Sequence, residues 1–230
     1  MNILAIEAST ETGSFAVVGN KGLLGELTLN CEITHSERLL PGIKSLMESL
    51  KLTFDDLKAV AVSIGPGSFT ALRIAISTAK GIAFSSKLPL IGVPTLLALA
   101  ERVMDFNSVI CPFLDARKKE VYFALYKRNA DLSLLKIKSE TVTTVEEMCN
   151  NIKGRTIFLG NGVEVYGEEV KSILGKKAIF TPKAIRFPTA SAVAEIGYKM
   201  LIGGDYTKDL SLIRPIYLRS SDAEMAIKKS

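Results

Sequence analysis

Apolar positions along this chain fall into two rhythms. Short runs that alternate or stay continuous read as strands, and longer stretches repeating every three or four residues read as helices. The first copy of a pattern opens with strands at Asn2 to Ala8, Ser14 to Val18 and Leu23 to Asn30. A polar turn at Glu7 to Gly13 and a hairpin turn at Gly19-Asn20-Lys21-Gly22 join them. A helix follows with a stripe of Leu39, Leu40, Ile43, Leu46, Met47 and Leu50. Thr34 and Glu37 have capping-box spacing before it, Ser36 is a second cap candidate, and Pro41 implies a kink. Ala59 to Ile64 is a buried strand that turns on Gly65-Pro66-Gly67. Ser68 then caps a helix running from Phe69 to Ser85, and a strand at Leu90 to Val93 leads into a helix reaching about Val103.

The pattern then begins again. Strands are predicted at Val109 to Leu114, Val121 to Tyr126 and Leu132 to Thr141, with Pro112 suggesting an edge strand or a bulge. A helix over Val145 to Asn150, a strand at Thr156 to Leu159, a turn at Gly160-Asn161-Gly162 and a helix over Val163 to Leu174 follow. A short strand at Ala178 to Thr181 precedes a last helix, Thr189 to Ile202, stopped by Gly203-Gly204. The tail is extended around Pro215 and expected to be loose after Ser220. A duplicated unit of three-strand meander, helix, strand and helix predicts an α/β fold of two lobes, each a mixed sheet with helices, and a cleft between them. The expected boundary divides 1–104 from 105–230.

Bulk properties narrow this picture. The 230 residues are 47% apolar, enough for an ordinary core, and the charge is 29 − 24 = +5. The cations are scattered, so nucleic acid nearby is tolerated without being demanded. Cys31, Cys111 and Cys149 lie far apart with no C-x-x-C, as reduced thiols do. The N-terminus lacks the shape of a signal peptide and no run is long enough to span a membrane. A soluble, cytoplasmic protein is expected.

The chemistry on offer is thin. The start of the helix after Gly65-Pro66-Gly67 favours an anion, yet no P-loop or dinucleotide fingerprint accompanies it, and a compact strand-to-helix connection explains the same residues. His35 is the single histidine, so a His-x-x-x-His metal site is ruled out, and its place in a capping sequence reads as structural. Glu7 and Asp115 occupy equivalent turns and are candidates for a magnesium site or ordinary turn residues. Ser9, Thr10 and Thr12 surround Glu7 without a base to meet phosphate, whereas Arg117, Lys118 and Lys119 surround Asp115. No nucleophile and base are spaced for a triad, so no catalytic residue is expected.

The duplicated unit resembles the actin, sugar kinase and heat-shock ATPase superfamily. Several motifs narrow the resemblance: Ile3-Leu4-Ala5-Ile6-Glu7-Ala8-Ser9-Thr10, His35-Ser36-Glu37-Arg38-Leu39-Leu40-Pro41, and Gly65-Pro66-Gly67-Ser68-Phe69-Thr70 with Leu72-Arg73. Asp115-Ala116-Arg117 with Glu120-Val121-Tyr122, and Pro215-Ile216-Tyr217-Leu218-Arg219, complete the set. In order and spacing they are similar to the TsaB family, bacterial subunits of the machinery that makes threonylcarbamoyladenosine in tRNA. Ala71 stands where that family often has glycine, and Glu7 where it often has aspartate. The resemblance implies a scaffold that pairs with the catalytic subunit TsaD and with the ATPase TsaE, forms a homodimer without TsaD, and meets tRNA indirectly. It implies no cofactor of the chain's own, with ATP and magnesium confined to a shared interface, and a vestigial phosphate site at Glu7, Ser9, Thr10 and Asp115. The slim helix after Ser68 and the stripe on the helix before it suggest a four-helix contact. Its expected residues are Leu39, Ile43, Met47, Leu72, Ala75, Ile76 and Ala79. A stand-alone phosphotransferase of the same superfamily is the alternative.

Overall fold

The computed structural model describes residues 1–30 and 35–219, with the side chains of 35–38 not among what is described. The capping residues Thr34, Ser36 and Glu37, the structural reading of His35, the thiol of Cys31 and the tail after Ser220 therefore lie outside the described residues.

The chain forms two compact units, 1–98 with 188–215 and 99–187 with 216–230. The first holds strands β1 (Asn2–Glu7), β2 (Gly13–Gly19), β3 (Gly22–Leu29), β4 (Leu57–Gly65) and β5 (Leu90–Pro94), in the order β3-β2-β1-β4-β5. β1 pairs antiparallel with β2 and parallel with β4, as expected for a meander followed by helical crossovers. Period-two alternation sends Leu4, Ile6, Val60 and Val62 to one face of the sheet, and Ile3, Ala5, Ala59 and Ala61 to the other. Both faces are buried, which is why β1 and β4 read as continuous apolar runs. Helices α1 (His35–Ser49) and α2 (Phe69–Ser85) cover the first face, and α6 (Ala190–Gly203) covers the second.

The second unit repeats this plan. Strands β6 (Val109–Asp115), β7 (Glu120–Arg128), β8 (Leu134–Thr144), β9 (Thr156–Leu159) and β10 (Ala178–Phe180) lie in the order β10-β9-β6-β7-β8, the same order read in the opposite direction. Helices α4 (Val145–Asn150) and α5 (Gly162–Leu174) pack on it through Met148, Val163 and Val170. α3 (Thr95–Glu101) follows β5 and leads toward β6. Each unit is thus the mixed α/β sheet with helices expected of the duplicated superfamily. β6 is a central strand, so the expectation of an edge at Pro112 is corrected. The missing N–H is absorbed where the antiparallel ladder passes from Ile110–Tyr126 to Phe113–Phe123, while Pro112 stays in parallel register with Leu159.

The boundary expected at 104/105 also differs from the structure, for two physical reasons. The segment around α6 returns to the first unit because that sheet's second face needs covering. Its small residues suit it: a Cβ on Gly197 would stand 2.8 Å from Ala61, and Ala190 and Ser191 donate their N–H groups to Ser14 Oγ (3.0 Å) and Glu26 Oε1 (2.8 Å). Residues 99–104 join the second unit because Arg128, buried in β7, gathers the carbonyls at the end of α3. Its Nε donates to Val103 O (2.8 Å) and its Nη2 to Glu101 O (2.9 Å) and Ala100 O (3.3 Å).

Candidate functional site

The two turns singled out by their carboxylates sit at corresponding places, one after β1 and one after β6. In the first, Glu7 is completely buried, and its Oε1 accepts the N–H of Ser9 at 2.6 Å and the Ser9 hydroxyl at 2.5 Å. Burial raises the Glu7 carboxyl above its ordinary range, opposed by those two bonds and by the nearby Ser63 hydroxyl of β4. Glu7 Oε2 and Ser63 Oγ are both buried without a hydrogen-bond partner, as is Thr95 Oγ1.

The glycine turn closes directly on this residue. Gly65 ends β4 with φ +109°, and the Gly65–Pro66 peptide is cis. Gly67 lies so close to the first turn that a Cβ on it would stand 2.3 Å from Ser9 O. The Ser68 N–H donates to that same carbonyl at 2.8 Å. Ser68 also caps α2, its Oγ accepting from Ala71 N–H (3.5 Å), and its carbonyl accepts from Leu72 N–H (2.9 Å). Ala71, where the family often has glycine, is accommodated inside this capped turn. Two of the N–H groups at the start of α2 that could have met an anion, those of Ser68 and Ala71, are therefore engaged within the chain. Glu7 and Ser9 are brought together, and Thr10 continues their turn, its Oγ1 accepting from Thr12 N–H at 3.4 Å. Backbone of the first turn fills the space beside Gly67, and the Glu7 carboxyl is buried beneath it.

Asp115 belongs to the second unit, so it is described apart from Glu7. Its Oδ1 accepts the N–H of Arg117 at 2.8 Å and the Tyr166 hydroxyl at 3.1 Å, while its own N–H donates to Asn161 Oδ1 at 3.1 Å. Arg117 Nη1 lies 3.7 Å from Asp115 Oδ2. The carboxylate-to-N–H bond two residues on is the same device that Glu7 uses. Gly160 repeats Gly65, with φ +108°, and presses on Phe113 O.

The expected contact residues stand differently. Leu39, Ile43, Met47, Leu72, Ala75, Ile76 and Ala79 are all buried within the first unit, and the expectation that they face a partner is corrected. Each large side chain among them contributes about 2 kcal/mol by leaving water, so none is available to leave the core. Exposed on α1 is Leu40, at 57%, and exposed on α2 are Phe84, at 79%, Ser77 and Gly81. The stripe was legible in the sequence, but periodicity alone does not separate the side facing a sheet from the side facing solvent.

Among the described residues no three His, Cys, Asp or Glu side chains are grouped to hold a metal ion, and no helix is long and apolar enough to cross a membrane. Cys111 and Cys149 are buried free thiols, and burial pushes Cys149 up to about 11.

Comparison with known proteins decides the family. A family model described as "TsaD: tRNA N6-adenosine threonylcarbamoyltransferase" matches residues 29–227. The tRNA threonylcarbamoyladenosine biosynthesis protein TsaB of Escherichia coli is 30% identical over 230 residues, covering 97% of this chain and 96% of that protein. The chain belongs to the TsaB branch of the TsaD family. TsaB of Bacillus subtilis is 29% identical, covering 97% of this chain and 96% of that protein. A crystal structure of a Pseudomonas aeruginosa protein, described by its similarity to peptidase YEAZ, superposes with a TM-score of 0.83 at 25% identity. It covers 95% of this chain and 99% of that one. The TsaB-family resemblance read from the motifs is thus shown.

Proposed function

We propose that the chain is an architectural subunit in the biosynthesis of threonylcarbamoyladenosine in tRNA, pairing with a TsaD-type catalytic subunit and supporting a TsaE-type ATPase. The observation that carries the non-catalytic part is the closed first turn. Where the superfamily places acidic groups around magnesium and phosphate, this chain buries Glu7 and seals the turn with the bond from Ser68 N–H to Ser9 O. ATP and magnesium then belong to a surface shared with a partner, not to this chain alone.

The pairing surface is the outward side of α1 and α2, with Leu40 and Phe84 as apolar anchors and Ser77 and Gly81 allowing close approach. The same surface serves a second copy when the TsaD-type subunit is absent. A fold shared with the TsaD family supports pairing through like helices.

The test is reconstitution of tRNA modification from TsaD-type and TsaE-type subunits with and without this chain. Modification is expected to require the chain, and Gly81→Glu to abolish pairing while the monomer stays folded, because a Cβ at Gly81 meets nothing within 4 Å. Full modification without the chain, or micromolar ATP–magnesium binding and hydrolysis by the chain alone, overturns the reading and favours a phosphotransferase.

A further inference from the structure

The C-terminal end of α2 closes on itself. Leu88 N–H donates to Ala83 O (2.9 Å), Lys87 N–H to Phe84 O (3.3 Å) and Ser86 N–H to Ile82 O (3.0 Å). This pattern satisfies the last carbonyls of the helix and puts Lys87 in the left-handed region, with φ +53°. Glycine ordinarily stands there, because it has no Cβ to crowd the following carbonyl. The same motif sets Ala83 and Leu88 together, and both line a cavity of about 510 Å³. Residues 207–211 form its opposite wall. Thr207 exchanges backbone hydrogen bonds with Leu90 of β5 (2.9 and 3.1 Å). Asp209 then shapes the next turn by accepting Ser211 N–H (3.0 Å) and the Ser211 hydroxyl (2.7 Å). Leu210 thereby joins Ala83 and Leu88 along the cavity floor, and Phe84 stands beside them, largely exposed.

Lys87 and Lys208, both exposed, complete the lining. Among the described residues neither ammonium has a hydrogen bond or an ion pair. The carbonyls that would draw Lys87 to the helix end are already taken by N–H groups. Of the acids around the cavity, Asp209 is held by Ser211 and lies in the field of Lys80 and Arg214. Asp205 stands exposed, three residues before Lys208. The start of β4 meets this segment through the bond from Val60 N–H to Pro89 O (3.0 Å). There Asp55 is offset in charge by Lys58, and Asp56 accepts the N–H and hydroxyl of Thr53 at 2.8 and 2.9 Å. On α1 Glu48 pairs with Lys44 at 3.7 Å. Lys80, Lys87, Lys208 and Arg214 thus stand against Asp205 and Asp209, a surplus of 4 − 2 = 2 cations. The polar lining residues are all exposed, so no buried polar group fixes the orientation of a small ligand. An apolar floor inside a charged rim is instead the anatomy of a protein contact.

We propose that this cavity docks an acidic amphipathic segment of a partner protein. Its apolar side chains enter over Ala83, Leu88 and Leu210, and its carboxylates meet Lys87 and Lys208. The proposal goes beyond the architectural role by adding a docking site at the end of α2. It stands on the cavity itself, whether or not the chain pairs with a TsaD-type subunit. Phe84 is shared with the proposed pairing surface and the two lysines are not, so the lysines carry the decisive variant.

The test is a fluorescence-anisotropy titration of the full chain into a labelled peptide whose phenylalanine and leucine, one helical turn apart, are flanked by glutamates. Saturable binding that weakens with added salt is expected. Lys87→Glu/Lys208→Glu is expected to weaken affinity at least about tenfold, and Phe84→Ala at least about fivefold. Lys87→Gly is expected to weaken it by about threefold while holding or raising the melting temperature, because glycine suits the left-handed position. Lys51 takes the same position after α1, with φ +55°, and lies outside the cavity lining. Lys21→Glu/Lys51→Glu is therefore expected to leave affinity within about twofold. No saturable binding, equal binding of a peptide with lysines in place of the glutamates, or equal weakening by the Lys21/Lys51 variant overturns the proposal. So does a homodimer that Lys87→Glu/Lys208→Glu dissociates while the peptide stays unbound, which assigns the cavity to a second copy. Pairing with a TsaD-type subunit is scored separately through Gly81→Glu, so failure of the architectural role is distinguished from failure of this site.

Discussion

The Glu7 turn and the Asp115 turn share one plan and differ in how far each is open to solvent. Both follow the first strand of a five-stranded sheet of the same order, and both use a carboxylate to hold the N–H two residues on. Both also face a glycine with φ near +109° at the end of the neighbouring parallel strand. Glu7, however, is sealed under Ser9, Gly67 and Ser68, whereas Asp115 is partly open and lies 3.7 Å from the exposed Arg117 guanidinium. The first turn is a packed joint and the second an exposed charged turn. The same strand order therefore supports a turn closed by backbone in one unit and a half-open turn in the other.

The largest effects that sharpen this comparison belong to the glycines. Gly160→Ala combines a positive φ with a Cβ 2.0 Å from Phe113 O, and is expected to destabilise by about 3–4 kcal/mol in chemical denaturation. Gly67→Ala, with its Cβ 2.3 Å from Ser9 O, is expected to cost about 2–3 kcal/mol by opening the joint at Glu7. A smaller loss, about 1–2 kcal/mol, is expected for Asp115→Ala. It removes the acceptor for Arg117 N–H and for the Tyr166 hydroxyl from a half-open turn.

Glu7→Gln goes the other way. Because burial raises the Glu7 carboxyl, the folded chain holds that proton more tightly than the unfolded chain does. Its contribution is fully present below the ordinary value of 4.5 and is lost as pH rises through the raised value. Glutamine keeps an acceptor for Ser9 without a charge to bury, and gains a donor that can reach the orphaned Ser63 hydroxyl. The variant is expected to be more stable by about 1 kcal/mol at neutral pH and to show a flatter stability–pH curve. Denaturant midpoints measured from pH 4 to 8 check both expectations.

Most element positions were legible because their signals are local. The strands at Thr156 to Leu159 and the helix from Phe69 to Ser85 stand where alternation, glycine turns and the Ser68 cap place them. What the sequence could not carry was partnership between distant parts. The helix ending at Gly203 was visible as a helix, but its assignment to the first sheet depends on Ala190, Ala194 and Gly197 fitting the small side chains of Ala5, Ala16 and Ala61. The burial of Leu39, Ile43 and Ala75 against their own sheet was hidden for the same reason, since a helix stripe does not name what covers it. The closure at Glu7 needed the spatial meeting of Ser9 with Gly67, two positions far apart in the chain. Arg128 carried no signal at all, and its role emerges only from the carbonyls it meets at the end of α3.

The most direct measurement of the architectural account is tRNA modification by the reconstituted assembly carrying Glu7→Gln. A sealed joint without chemistry is expected to leave the rate within about twofold of the unaltered assembly. A loss of tenfold or more, with the variant folded and still paired, corresponds to about 1.4 kcal/mol of lost transition-state stabilisation and contradicts the claim that this turn is no longer a working site.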